Sequence, residues 1–143
     1  MTGQEFKDRM HQIFACYDGR RIMQSMDGGF KGMTPIMIEL KKAKENNKEV
    51  NAGDLAEKFD VSTARVATII NTLEDKGFII RKKSERDGRL TIVELTKAGE
   101  DEIVRIDKIS TDLIGKGIDG ISDSDLEIFF KVLYEFTLNI NKL

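Results

Sequence analysis

The sequence predicts a mainly helical fold with one small β-hairpin. Apolar residues recur at steps of three and four along most of the chain, which is the spacing of amphipathic helices. Two short segments, residues 78–83 and 90–96, are instead rich in β-branched residues and predict paired strands. The 143 residues include twelve glycines and one proline, and 40% of them are apolar. This length and composition indicate one folded domain built of helices separated by glycine turns.

The first two predicted helices lie in the N-terminal third of the chain. The first covers residues 4–26 and carries apolar side chains at helical spacing: Phe6, Met10, Ile13 and Tyr17. The second is expected to begin with Thr34 as its cap and Pro35 at its first helical position. It is expected to end at Asn46-Asn47.

Residues 51–76 predict two further helices joined by a tight turn. Asn51 is a good cap for the first of them, and Ser62 is a good cap for the second. The second helix is expected to end at Lys76, because Gly77 follows it. Its inward stripe is expected to contain Val66, Ile69, Ile70 and Leu73. Two short helices in this arrangement form a helix-turn-helix.

A basic hairpin is predicted directly after the helix-turn-helix. Its tip, residues 84–89, contains the turn sequence Asp87-Gly88. Although the net charge of the chain is −2, residues 76–89 hold six basic side chains against two acidic ones: Lys76, Arg81, Lys82, Lys83, Arg86 and Arg89 against Glu85 and Asp87. Such a cluster attracts phosphates at short range, although a solvated loop would have the same composition. The helix-turn-helix and the hairpin together predict a winged helix.

Two helices are predicted to close the chain. The first begins after Thr96, and its end is expected at Gly115, Gly117 and Gly120. The second begins at Ser122 and is apolar on nearly all sides. Either it is buried within the monomer or it forms a subunit interface. We favour the interface, because a chain this short has few other elements to cover it.

A winged helix of this composition suits double-stranded DNA. The outer half of the fourth predicted helix carries short or polar side chains that fit a major groove about 12 Å wide: Ala64, Arg65, Thr68, Asn71 and Thr72. The free amides at the start of this helix and the lysines of the wing stem can bind phosphates. Arginines at the wing tip can enter a minor groove. The predicted DNA contacts are therefore Ser62, Thr63, Ala64, Arg65, Thr68, Thr72, Lys82, Lys83, Arg86 and Arg89.

Residues 51–99 resemble the MarR family of bacterial transcriptional regulators. The resemblance lies in Asp54-Leu55-Ala56, in the string from Leu73 to Ile79, and in the wing pattern Asp87-x-Arg89-x-x-x-Val93-x-Leu95-Thr96-x-x-Gly99. It implies a single MarR-type domain over residues 1–143, with a winged helix-turn-helix lobe at 34–99 and dimerisation helices at 1–30 and 100–143. It also implies that Asp87 supports the wing by pairing with an arginine.

The family resemblance further implies a cytoplasmic homodimer that acts on a pseudo-palindromic operator, usually as a repressor. A small anionic or phenolic ligand would bind between the dimer helices and the DNA lobe and release the DNA. Residues that could line this cleft are Arg9, Arg20, Arg21 and Met33.

Two alternative functions follow from the same residues. The winged helix could dock a protein partner instead of DNA, with its basic tip against an acidic surface. Cys16, with Arg20 and Arg21 close by in sequence, could instead make the protein a redox-sensing regulator. A lone cysteine is more commonly a packed thiol than a sensor. His11 is more commonly expected at a surface or interface than as a ligand or a general base.

Other classes of function lack a sequence signature. One cysteine and one histidine do not make a common four-ligand zinc site, and neither a glycine-rich phosphate loop nor a second histidine is present. We therefore expect no metal, no cofactor and no catalytic residues. No apolar run approaches the roughly 18 residues of a membrane-spanning helix, and no secretory signal is visible. We expect no membrane association.

Overall fold

The computed structural model describes residues 1–16 and 32–142. This part of the chain contains six helices and one antiparallel hairpin, so the prediction of a mainly helical fold with a small β-hairpin is confirmed. The elements in chain order are α1 (Gly3–Cys16), α2 (Met33–Glu45), α3 (Ala52–Lys58), α4 (Thr63–Asp75), β1 (Ile79–Lys83), β2 (Thr91–Leu95), α5 (Lys97–Ile118) and α6 (Asp123–Ile140).

The chain divides into two compact units, residues 1–111 and 112–143. The core of the first unit is formed by the buried faces of α2, α3, α4 and the hairpin, closed by Ile106 of α5. Its largest fully buried side chains are Met37, Leu40, Leu55, Val66, Ile70, Leu73, Ile79 and Leu95. The predicted inward stripe of α4 is confirmed, because Val66, Ile69, Ile70 and Leu73 are all buried.

The start of α2 differs from the prediction. The cap is Gly32, in the left-handed conformation with φ 85°. Thr34 lies inside the first turn, where it is buried and its hydroxyl has no hydrogen-bond partner among the described residues. Its predicted role as the cap is therefore wrong, because a left-handed glycine lets the chain enter the helix earlier. Pro35 is therefore the third helical residue and not the first as predicted. It remains in the first turn, where backbone N–H groups have no helical partner to lose.

The predicted first helix is observed as α1, which extends from Gly3 to Cys16. The remainder of its predicted range, residues 17–26, lies outside the described residues.

The predicted caps of α3 and α4 are confirmed. Asn51 and Asp54 form a reciprocal capping box, with Asp54 N–H donating to Asn51 Oδ1 at 3.0 Å and Asn51 N–H donating to Asp54 Oδ2 at 2.9 Å. The turn passes through Asp60 at φ 49°. Ser62 Oγ then accepts the N–H of Arg65 at 3.2 Å. These local bonds fix the angle at which α4 leaves the turn.

The hairpin is attached to the helical core on both sides. Its register runs from Ile79 opposite Leu95 to Lys83 opposite Thr91. Val93 N–H donates to the carbonyl of Val50 at 2.8 Å, which ties β2 to the segment before α3. At the base, a Cβ on Gly99 would lie 2.3 Å from the carbonyl oxygen of Phe78. The glycine of the wing pattern is therefore required by a close backbone approach.

Two of the glycines expected to end α5 lie within it. The helix continues through Gly115 and Gly117 to Ile118, and the chain turns at Gly120 with φ 81°. A helical glycine costs only about 1 kcal/mol relative to alanine, which is too little to end a long helix.

The second unit contains α6, whose predicted cap Ser122 is confirmed because its Oγ accepts the N–H of Asp125 at 3.1 Å. Large apolar side chains of α6 are exposed in the single chain, including Phe129, Phe130 and Tyr134 at 58%, 60% and 65%. The Phe129 and Phe130 rings contact each other edge to face, with their centroids 5.4 Å apart. Among the described residues, no helix is long and apolar enough to cross a membrane.

Candidate nucleic-acid interface

The outward face of α4 is short and polar. Each helical residue turns by about 100°, so the buried stripe places Ala64, Thr68 and Asn71 near the opposite side of the helix. All three are exposed, and they form a row at positions i, i+4 and i+7. Thr63 and Arg65 flank this row and are exposed as well. The row leaves room for α4 to approach another surface closely.

The hydroxyl groups of α4 are already bonded to the backbone. Thr68 Oγ1 donates to the carbonyl of Ala64, and Thr72 Oγ1 donates to the carbonyl of Thr68, each at 3.0 Å. Their oxygens retain lone pairs, so these two residues present acceptors outward. Ser62 serves as the cap of α4. Its hydroxyl therefore has a structural role beside the predicted contact.

Arg81 of β1 links the wing to α4. One of its nitrogens donates to Asn71 Oδ1 at 2.6 Å, and another pairs with the carboxylate of Glu74. The sequence predicts Asn71 on the outer half of the helix but does not predict this contact. The pairing depends on which face of β1 turns towards α4. The alternation of side chains along a five-residue strand does not show which helix lies against each face.

The wing stem presents two of the predicted phosphate contacts. Lys82 Nζ lies 2.6 Å from the carboxylate of Glu94 on β2. The hydrogen bond to Glu94 is the main cause that raises the pKa of Lys82. Part of its charge is therefore balanced within the wing. Lys83 is exposed at the end of β1, opposite Thr91.

The wing tip is held by a buried serine and a glutamate from another loop. Ser84 is 5% exposed, and its Oγ accepts the N–H groups of Arg86 at 3.1 Å and Asp87 at 3.0 Å. The same hydroxyl donates to the carboxylate of Glu49, which also accepts the N–H of Glu85 at 3.0 Å. We call Glu49 and Ser84 the wing anchor. The Ser84 hydrogen bond is the largest cause that lowers the pKa of Glu49.

The two tip arginines have different surroundings. The Arg86 guanidinium donates to the carbonyl of Asn47 at 3.1 Å, so it lies against the turn after α2. Arg89 is exposed, and its N–H donates to Asp87 Oδ1 at 3.0 Å. Asp87 thus closes the turn through the backbone of Arg89. The wing anchor is not predictable from the sequence, because 35 residues separate its two members and neither belongs to a recognisable motif.

The structure gathers the predicted DNA contacts onto α4 and the wing of the first unit. Several other predicted residues lie outside the described part of the chain. These are the side chains of Cys16 and His11, together with Arg20 and Arg21. Of the two remaining cleft candidates, Arg9 is exposed on α1 and Met33 is buried at the start of α2. Among the described residues, no group of three or more His, Cys, Asp or Glu side chains is placed to hold a metal ion.

Comparison with known proteins supports the MarR resemblance. The sequence model of the MarR family matches residues 45–91, which include α3, α4 and most of the wing. The chain is 26% identical over 112 residues to the uncharacterized HTH-type transcriptional regulator YdgJ of Bacillus subtilis, a match that covers 78% of this chain and 68% of YdgJ. The predicted resemblance to the MarR family is confirmed over the winged helix-turn-helix. The chain is similar to transcriptional regulators with a DNA-binding winged helix rather than to enzymes.

Further similarities agree with this resemblance. A regulatory protein named for the hcr operon of Thauera aromatica is 30% identical over 78 residues, which are 54% of this chain and 47% of that protein. The chain therefore spans about half the length of that relative.

Solved structures of S. aureus MepR share the fold of this chain. One MepR mutant superposes with a TM-score of 0.76 at 15% identity over 98% of this chain and 99% of MepR. A MepR mutant bound to an oligodeoxyribonucleotide has a TM-score of 0.64 at 15% identity over 98% and 99%. MepR bound to ethidium bromide has a TM-score of 0.57 at 14% identity over 98% and 97%.

Proposed function

We propose that this chain is a MarR-family regulator that acts as a homodimer on a pseudo-palindromic operator and represses transcription by occupying it. The observation that carries the proposal is the exposed polar row of α4 in the same unit as a wing with exposed cations, Lys83 and Arg89. A helix of this kind fits a major groove, and arginine at a wing tip fits the flanking minor groove. Because bacterial DNA lies in the cytoplasm, the proposal puts the protein there.

The homodimer is supported by the exposed apolar surface of α6. Phe129, Phe130 and Ile128 are each more than half exposed in the single chain. Apolar surface of this extent is typical of a helix that packs against another subunit. A twofold axis would duplicate α4, and two recognition helices read half-sites about 34 Å apart or a multiple of it.

Sedimentation of the full chain tests the dimer. We expect a dimer for the wild type and a monomer for Phe130→Asp, because a charge would replace an aromatic side chain in the interface. The matched control is Lys131→Glu, which changes the next residue without removing apolar surface. A wild-type monomer at micromolar concentration would contradict the proposed dimer.

The salt dependence of duplex binding tests the DNA contacts of the wing. The logarithm of the association constant falls with the logarithm of the salt concentration in proportion to the number of phosphates neutralised. We expect Arg89→Ala to weaken binding and to make this slope shallower by about one contact. The control is Arg105→Ala, because that arginine lies on α5 and forms a two-point ion pair with Glu102. Equal slopes for wild type and Arg89→Ala would count against the wing contact and favour a protein partner.

Release by a small anionic or phenolic ligand completes the proposal. The fold shared with MepR, of which one structure contains ethidium bromide, an organic cation, supports release by a small molecule. A ligand lowers DNA affinity only by the ratio of its affinities for the free and DNA-bound forms. Titration of salicylate into the protein–duplex complex should lower anisotropy, and an unchanged signal would exclude that compound. The role of Cys16 is tested separately, because peroxide should release DNA from wild type but not from Cys16→Ser if the thiol is the sensor.

A further inference from the structure

The side-chain amide of Asn71 is held in one orientation. Its Oδ1 accepts a hydrogen bond from Arg81 at 2.6 Å, and Arg81 is itself held by the carboxylate of Glu74. A guanidinium carries donors only, so the amide must turn its oxygen towards Arg81. The amide nitrogen of Asn71, with its two hydrogens, is therefore directed away from this contact.

Asn71 lies on the outward face of α4. It is exposed in line with Ala64 and Thr68, on the side of the helix opposite the buried stripe. Both neighbours are small, since one is alanine and the other is threonine. The hydroxyl of Thr68 donates its hydrogen to the carbonyl of Ala64. The two hydrogens of the Asn71 amide are thus available to a surface that approaches this face.

The fixed orientation changes which base the amide suits. A free asparagine pairs best with adenine, because it accepts from the N6 amino group and donates to N7. With its oxygen turned onto Arg81, Asn71 offers donors alone at its outer end. Guanine presents two acceptors in the major groove, N7 and O6, whereas cytosine presents a donor there.

We infer that Asn71 reads one base pair of each operator half-site and prefers guanine there, because Arg81 fixes its amide as a donor. The inference rests on the proposed function, since it requires α4 to lie in the major groove. Asn71 is the specificity-determining residue of this pair. Arg81 is a positioning residue that acts through it.

The test compares base preferences of full-length variants. Duplexes bound by wild type are first selected from a random library, and affinities are then measured for all four bases at each position of one half-site. Wild type should prefer guanine at one position roughly 5- to 10-fold over adenine, with cytosine weakest. Asn71→Ala should level the preferences at that position alone. Arg81→Ala should shift the preference there from guanine towards adenine, because the amide is free to turn.

Controls separate this role from a loss of fold. Arg105→Ala removes an arginine that is also held in an ion pair, and it should leave every base preference unchanged. Thermal unfolding of each variant reports whether it is folded. Asn71→Ala is at an exposed position, so the test does not depend on Arg81→Ala remaining stable.

Each outcome decides a separate claim. The inference is overturned if Asn71→Ala retains all base preferences of wild type, whatever its affinity. The positioning role of Arg81 is overturned if Arg81→Ala still prefers guanine at the same position. If wild type selects no duplex at all, the proposed operator binding fails first and the inference fails with it.

Discussion

The substitution Ser84→Ala removes the centre of the wing anchor. It deletes three hydrogen bonds, one donated to the carboxylate of Glu49 and two accepted from the N–H groups of Arg86 and Asp87. A neutral hydrogen bond contributes about 1 kcal/mol net, and one to a charged group contributes more. Because Arg86 and Asp87 are exposed, water can replace part of what they lose. We therefore expect a loss of about 2 kcal/mol in the free energy of unfolding.

Urea unfolding followed by circular dichroism measures this loss. In a separate thermal melt, the melting temperature should fall on the order of 5–10 °C. Duplex affinity should fall too, because the tip must be ordered again when DNA binds. The control is Ser124→Ala, which removes an exposed serine near the start of α6 and should stay within about 0.5 kcal/mol of wild type. The anchor has no structural role if Ser84→Ala is as stable as this control and binds DNA with wild-type affinity.

Three further predictions concern single residues of the described chain. Gly99→Ala should lower the free energy of unfolding by more than about 2 kcal/mol, because its Cβ would lie 2.3 Å from a backbone oxygen. The control Gly115→Ala has open space for its Cβ and should raise the free energy of unfolding by about 0.5–1 kcal/mol. Equal melting temperatures for the two variants would refute the clash at Gly99. Asn51→Ala should cost about 0.5–2 kcal/mol by urea unfolding through loss of the capping box, and a cost of zero would contradict that role. The folded-state pKa of Glu49 is lowered from its ordinary 4.5, so its contribution to stability is fully present above that value and is lost as the pH falls through the lowered pKa. The stability difference between wild type and Glu49→Gln should therefore be larger at pH 7 than at pH 3, and a constant difference would refute the assignment.

Local signals in the sequence were sufficient for most of the fold. The caps Asn51, Ser62 and Ser122 bond to residues three positions ahead, and the buried stripe of α4 follows the helical period. Such features depend on short separations along the chain, so the residues themselves predict them. The start of α2 was mispredicted, because Thr34-Pro35 is a good local signal and the left-handed Gly32 before it overrides that signal.

The contacts that shape the DNA-binding surface were not predictable in the same way. Glu49 meets Ser84 across 35 residues, and Asn71 meets Arg81 across 10 residues and a change from helix to strand. Each contact depends on how the wing packs against the helices, which no periodicity encodes. Composition identified the basic wing, but only the packing shows that Arg86 lies against the carbonyl of Asn47.

The central claim is that two copies of α4 occupy successive major grooves of one duplex. A hydroxyl-radical footprint of the wild-type protein on a selected duplex tests it most directly. We predict two protected regions related by a twofold axis, about 10 base pairs apart from centre to centre, each flanked by protection where the wing enters the minor groove. A single unsymmetrical protected region, or a protected pair whose spacing does not match whole helical turns, would contradict the account.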